Sequence, residues 1–433
     1  MFPPSSRAPR GAGHSVDPKA LAFGLASTFL CGIGFSIIMP VLPFLVQPYV
    51  SDPAQQATVV TLLVSVYAAC VFLVAPGLGA LSDRFGRRPL LLVCLLGSAA
   101  GYLVLGIGGA LGVLFVGRII EGLTGGSIGT IFAYFADITP RDERTKYFGW
   151  VSALSGAGVI IGPAVGGLLA QFGASTPLFF GAGVTLLNCI FGFFCMPESL
   201  AASARIPAVP LARLNPFTQL KGVLSLGTIG LLLCGALLVW TASGSLQGIF
   251  SPFCLDVFAW DPAVIGLVFS ILGVQDIVAQ GLVMPRLLRR LSDVQIAVVG
   301  MGAEVAGYAL IAASALAVQS ALFVVAVFAY GFGDSIFGPS CNGMLSKAAD
   351  EADQGRTLGA SQSLQSLARI VGPLAGGQLY VLLGPAAPAC MGALLVACAI
   401  PVLRAGAQHG RARARRRTVG AQPAPAPDNP RAR

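Results

Sequence analysis

The sequence predicts an all-α membrane protein, with twelve transmembrane helices in two pseudo-symmetric six-helix bundles. Three observations predict it. Of the 433 residues, 55% are apolar and only 10% charged, at a mean hydropathy of +0.80, whereas soluble domains carry about 25% charged residues. A water-soluble fold of this composition could not cover its own surface. Apolar runs long enough to cross a bilayer, roughly 20 residues each, recur along the chain. A Gly-Pro-x-x-Gly-Gly block also stands in corresponding places of the two halves.

The elements follow in order. A Pro-, Arg- and Ser-rich tail occupies 1–19, and the apolar run after it is too long for the apolar part of a signal peptide, so it reads as a retained first helix. Spans are expected near 20–46, 58–81, 89–109, 111–136, 147–171 and 177–196. These make an N-terminal bundle over 20–197. A polar connection at 198–225 follows. Six more spans near 226–250, 262–285, 294–315, 319–344, 357–383 and 385–403 make a second bundle over 226–404. Backbone groups cannot go unpaired in lipid, so runs of this length must be helical. The basic tail, 405–433, contains RARARRR from Arg411 to Arg417 and then a Pro-Ala stretch. It reads as a disordered topology anchor attracted to anionic lipid.

Charge placement orients the chain. Of 27 Lys and Arg residues, 25 lie in the two tails and the even-numbered connections, and the opposite connections hold none. The positive-inside rule therefore places both termini in the cytoplasm of a multi-pass cell-membrane protein. It also accounts for the net charge of +9 without nucleic acid as a partner. The ten cysteines show no ligand spacing and mostly sit in apolar runs, which reads as small apolar packing rather than disulfides or metal. Both histidines, His14 and His409, fall in polar tails. No metal and no cofactor is expected.

Motifs sharpen the picture. GALSDRFGRRPLLL, from Gly79 to Leu92, follows the second span. There Gly79 would allow close helix packing, Asp83 would cap or pair, and Arg84, Arg87 and Arg88 would hold the turn in the cytoplasm. Around the fifth span stands GVIIGPAVGG (158–167), answered in the second half by ARIVGPLAGG (368–377). Such repeats point to duplicated bundles with a site between them. Small residues at Gly122, Gly126 and Gly129, and at Gly158, Gly162, Gly166 and Gly167, read as ridges for close helix approach. Pro163 and Pro373, lacking an amide donor, should bend their helices.

Arg118 and Arg369 are the cations inside spans, where a charge costs about 2.5–3.5 kcal/mol on insertion scales. Glu121, three residues after Arg118, lies on the same helix face and can offset it; a merely structural pair is the alternative reading. The second half adds Asp276, Glu304 and Asp334, one each in spans eight, nine and ten. Each should face the bundle interior or a water-filled path. A carboxyl group taken out of water favours its neutral form, as a reversible proton carrier requires. With no membrane histidine, carboxylates must carry any proton coupling. A static packing role is the alternative for any one of them.

Gly79, Leu81, Asp83, Arg84, Gly86, Arg87 and Arg88 together resemble the loop motif of the major facilitator superfamily. GIGFSIIMPVLP (32–43), GRIIEGLTGG (117–126) and GVIIGPAVGG join it, the last being similar to that family's antiporter motif of Gly158, Gly162, Pro163, Gly166 and Gly167. The four blocks resemble the drug/proton antiporter branch, in particular bacterial tetracycline/proton antiporters. The resemblance implies gating by Asp83, Arg84 and Arg87 and proton coupling at Arg118. It also has departures. Phe29 stands where that branch has an acid, Asp276 where it has a histidine and Glu304 where it has an aspartate; Gln280 matches, and Glu121 and Asp334 have no obvious counterpart.

The resulting expectation is proton-coupled efflux of lipophilic drugs by alternating access, with substrate among Phe35, Tyr67, Gln247, Gln275, Asp276 and Gln280 by helix position. The expected partners are a small lipophilic substrate, protons and membrane lipid, and the chain is expected to be a monomer. The alternatives are a proton-coupled transporter of a nutrient or endogenous metabolite, and a non-transporting receptor or scaffold, against which the intact loop motif speaks. An enzyme is not expected: no nucleophile, base and orienting partner occur together, and no GxxxxGK[ST] phosphate loop is present.

Overall fold

The computed structural model describes residues 18–125, 127–140, 143–206, 228–348 and 354–420. Among them twelve helices are long and apolar enough to cross a membrane. They are α1 (Pro18–Ile37), α2 (Pro53–Phe85), α3 (Arg87–Ile107), α4 (Leu111–Ile138), α5 (Lys146–Phe172), α6 (Thr176–Cys195), α7 (Ile229–Phe258), α8 (Pro262–Leu288), α9 (Asp293–Ala317), α10 (Ser320–Ala348), α11 (Gly359–Leu383) and α12 (Ala387–Gln408). Large apolar side chains stay uncovered along them; Phe172, Phe194 and Leu316 are each about four-fifths exposed. Lipid is the solvent such a surface requires.

Several boundaries differ from the sequence reading, among them the following three. The first span ends at Ile37 rather than at 46, because Pro40 and Pro43 interrupt the ladder; turns fill 38–41 and a short helix, Leu42–Val46, follows. Helix α2 reaches 33 residues, about 50 Å at 1.5 Å per residue, so it outruns the hydrocarbon core. After α12, regular helix continues to Gly420 in place of the expected disorder. Ala and Arg, which fill the run from Arg411 to Arg417, are strong helix formers. The connection over 207–227 and the tails 1–17 and 421–433 lie outside the described residues.

The chain forms two compact units. One comprises Met1–Leu45, Leu73–Asn215 and Pro262–Ser270; the other comprises Val46–Phe72, Pro216–Asp261 and Ile271–Arg433. Helices α2 and α8 are thus each divided between units. The duplication shows in the pairings within them. In the first, α1 packs on α5 and α6, and α3 on α4 and α6; in the second, α7 packs on α11 and α12, and α9 on α10 and α12.

Glycines permit the close pairings. In α5, a Cβ at Gly158 would press on the α1 backbone at Ile33 and Gly32, and one at Gly162 on Ser36 and the Ile33 carbonyl. The α11 glycines equivalent to Gly162 and Gly166, Gly372 and Gly376, lie as tightly against Thr241 and Ser245 of α7. Gly79 and Gly129 differ from expectation: a Cβ at either would meet nothing within 4 Å. Spacing marks a small residue but not what faces it. Gly126 lies outside the described residues. Between α3 and α4 the close approaches are made by Gly97, Gly101 and Gly117.

Candidate functional site: charges within the helical units

The loop between α2 and α3 is held by a charge network. Arg87 donates from Nη1 to Asp83 Oδ1 at 2.6 Å and to Ser82 Oγ at 2.7 Å, and from Nε to Asp137 Oδ2 at 3.1 Å. Its side chain is 10% exposed, so these bonds form with little competition from water. Glu198 completes the turn. Its carboxylate accepts the amides of Arg87 (2.9 Å) and Arg88 (3.3 Å), capping the otherwise unpaired start of α3 where the helix dipole favours an anion. Gly86, at φ +108°, fits because a Cβ there would collide with that carboxylate. Ser199 Oγ donates to Asp137 at 3.1 Å, and the Ile206 amide to the Asp83 carbonyl at 3.1 Å. Arg84 stays outside the network, exposed over the Phe85 ring.

Deeper in the same unit, Arg118 Nη1 donates to Glu121 Oε2 at 2.6 Å, with side chains 4% and 3% exposed. The predicted intrahelical pair is therefore formed and enclosed. Tyr102 of α3 hydrogen-bonds Glu121, and Gly101 beside it brings the two helices together, its would-be Cβ lying 3.0 Å from Glu121 Cβ.

The glycine block of α5 faces two ways. Gly158, Gly162 and Gly166 lie on α1, whereas Gly167 meets the start of α8 at Pro262 and Ala263. From α8, Gly266 packs on the Pro163 carbonyl, and Ser270 Oγ donates to the Ile160 carbonyl at 2.8 Å. In the other unit, Gly377 likewise meets Thr61 of α2, and Ser65 Oγ donates to the Ile370 carbonyl at 2.9 Å.

The three carboxylates of the second half gather in the second unit, in different surroundings. Glu304 is fully enclosed, at 0% exposure, and neither carboxyl oxygen has a hydrogen-bond partner among the described residues. The charged group acting on it is Asp334, whose neighbour Gly333 lies so close that a Cβ there would be 2.8 Å from Glu304 Cγ. Asp334 keeps exposed surface although its carboxyl is densely surrounded, and it accepts from Ser243 Oγ at 3.2 Å; Asp276 and Arg369 act on it electrostatically. Tyr308 and Tyr330 meet edge-on beside the pair, with ring centroids 5.1 Å apart. Asp276 accepts from Gln280 Nε2 at 2.8 Å. Gln280 belongs to a π-helical turn, Ala279–Val283, a distortion common at functional positions. Gln275 Nε2 donates to the Phe328 carbonyl of α10 at 2.7 Å. Of the other expected substrate residues, Gln247 is exposed and Tyr67 half-buried in this unit, and Phe35, at 36% exposure, belongs to the other.

The sequence matches the profile described as Major Facilitator Superfamily over residues 24–373 and 232–427. The chain belongs to the major facilitator superfamily. Among curated relatives of this membrane transporter, it is 32% identical to "Tetracycline resistance protein, class C" of Escherichia coli, over 90% of this chain and 97% of that one. It is 28% identical to "Multidrug resistance protein 2" of Bacillus subtilis (strain 168), over 82% and 87%. Among solved structures, the fold matches the nucleoside transporter NupG with a TM-score of 0.70 at 16% identity, covering 89% of this chain and 98% of that one. It also matches the human organic anion transporter MFSD10 with a TM-score of 0.64 at 21% identity, covering 89% and 100%.

In this major facilitator chain several site residues lay beyond sequence reasoning. Asp137 and Glu198 reach Arg87 from 50 and 111 residues away, separations that carry no periodic signal. The duplication could have found two others. The second unit carries an ion pair between Asp293, first residue of α9, and Lys347, near the end of α10. It occupies the place of Arg87 and Asp137 at the start of α3 and end of α4, with the charges exchanged.

Proposed function

We propose that this transporter exports lipophilic drugs, tetracycline-like or multidrug, in exchange for protons by alternating access. It would work as a monomer in the cell membrane, with both termini cytoplasmic, lipid around its spans and no nucleic acid or enzymatic partner chemistry. The observation that carries proton coupling is the carboxyl cluster of Glu304, Asp334 and Asp276. Glu304, enclosed and unpaired, cannot hold a charge there without a large desolvation cost, whereas its neutral form is tolerated. A group able to exchange between these forms biases one conformation over another when the proton arrives or leaves. The drug-resistance names of the relatives supply the cargo class. The network at Asp83 and Arg87 supports a gating role for the loop, and the enclosed Arg118–Glu121 pair supports a second charge-sensitive element. Gln275, Asp276 and Gln280 are the proposed cargo contacts in the second unit.

The test uses inside-out vesicles holding the purified protein under an imposed pH gradient. Addition of tetracycline or a lipophilic cation should release protons from the lumen. The release should vanish in Asp83→Asn and in the double variant Asp276→Asn with Glu304→Gln. Full drug-driven flux in that double variant would sink the carboxylate assignment. Flux with an endogenous metabolite and none with any drug would replace the cargo reading.

A further inference from the structure

Glu304 and Asp334 are both acids in spans, but the structure gives them different places. Glu304 is sealed from solvent and unpaired; Asp334, on the facing helix, is exposed and hydrogen-bonded to Ser243. The first unit carries neutral groups at the corresponding level. Gly101 and Tyr102 of α3 correspond to Gly307 and Tyr308 of α9, each glycine packing on the facing helix, at Glu121 and Tyr330. In that register Ser98 stands in the place of Glu304. The register that aligns the two Gly-Pro blocks puts Thr124 in the place of Asp334. Ser98 Oγ and Thr124 Oγ1 lie 3.3 Å apart, one neutral hydroxyl bonded to another across the helix pair. At the corresponding positions of α9 and α10 the second unit carries two carboxyls where the first carries two hydroxyls.

We propose that Glu304 and Asp334 form a two-step proton relay, in which Glu304 stores the proton and Asp334 is the port that exchanges it with water. This assignment rests on the proton-coupled reading above and divides the labour within it. In this structure neither Glu304 oxygen has a hydrogen-bond partner among the described residues, so the transfer belongs to a conformation that brings the two carboxyls within hydrogen-bond reach, where neutral Glu304 passes its proton to the Asp334 carboxylate. Asp334, then neutral, releases it to a water molecule on its exposed side, leaving Glu304 ionised until the reverse sequence reloads it. The surroundings suit these roles. On α10 the pair is faced by Tyr330, on α9 by Tyr308, and on α7 by the Ser243 hydroxyl. Asp276 of α8 and Arg369 of α11 act on Asp334, not on Glu304. From α12, Gly392 packs on the Tyr308 ring and brings no charge. Among the described residues the port thus has Ser243, Asp276 and Arg369 about it, whereas the store is enclosed at 0% exposure.

Infrared spectroscopy of the purified protein in detergent tests the relay without transport. A protonated carboxyl gives a C=O stretching band that shifts in heavy water. The wild type should show such a band, absent from Glu304→Gln and retained in Asp334→Asn. After a jump to alkaline pH, decay of the band should slow roughly tenfold or more in Asp334→Asn and recover in Asp334→Glu. Persistence of every protonated-carboxyl band in Glu304→Gln would remove Glu304 as the store. An unchanged decay rate in Asp334→Asn would remove Asp334 as the port. Drug export without proton movement, in a protein whose band behaves as described, would overturn the antiport reading and leave the relay standing.

Discussion

At the scale of single residues, the enclosed Arg118–Glu121 pair decides between a structural and a functional reading. Each side chain is 3–4% exposed. Removing one partner leaves an uncompensated buried charge, which costs about 3–5 kcal/mol, whereas replacing both by apolar residues of similar volume is often neutral. Arg118→Met or Glu121→Leu alone should therefore lower the thermal midpoint of the purified protein sharply. The double variant Arg118→Met with Glu121→Leu should recover it. If the pair serves only to hold α4 together, the recovered protein transports; if it takes part in coupling, the protein is stable and silent. Drug efflux measured beside the melting curve separates the two. This pair was legible in the sequence because three residues along a helix return to the same face. The difference between Glu304 and Asp334 was not. Both are acids in apolar runs, and enclosure is decided by the facing helix, through glycines such as Gly333, whose partners cannot be read from the chain they stand in.

At the scale of elements, glycine position separates a packed helix face from an open one. A Cβ at Gly162 would lie 2.8 Å from the Ile33 carbonyl and closer still to Ser36 Oγ, and α1 cannot retreat without losing its other contacts along α5. Overpacking of this kind costs about 1–3 kcal/mol. At Gly129, with nothing within 4 Å, the same substitution meets no obstacle and gains up to about 1 kcal/mol of helix propensity. Gly162→Ala should accordingly lower, and Gly129→Ala preserve or raise, the denaturant midpoint of the purified protein. Equal effects at the two positions would mean that the α1–α5 contact is looser than its geometry. The number and order of the spans were readable from hydropathy alone, since lipid imposes length and composition on every helix. The end of α1 was not: Pro40 and Pro43 sit inside an apolar run, and their effect is a matter of missing donors rather than of hydropathy.

At the scale of the whole molecule, duplication gives each half the same pin between its third and fourth helices, yet the two pins should carry unequal weight. Arg87 is 10% exposed and bonded to Asp83, Ser82 and Asp137 at once, and Asp137 is itself held by Ser199. In the second unit Asp293 stands in the place of Arg87 and is 13% exposed, but its partner Lys347, in the place of Asp137, is 74% exposed. A single ion pair that wet is worth about 0–1 kcal/mol, because water and salt screen it and a long side chain must be ordered to make it. Loss of Arg87 instead strands two carboxylates and a serine in a partly dry turn, a cost approaching that of a buried pair. Lys347→Ala should then shift the melting midpoint little and leave efflux within about twofold of wild type. Arg87→Ala should destabilise the first unit and abolish efflux, and Asp137→Ala should follow it more closely than any substitution at Asp293. Raised salt should weaken the Lys347 pin further and leave the Arg87 network largely intact. Comparable losses from Arg87→Ala and Lys347→Ala would show that the two pins carry equal weight.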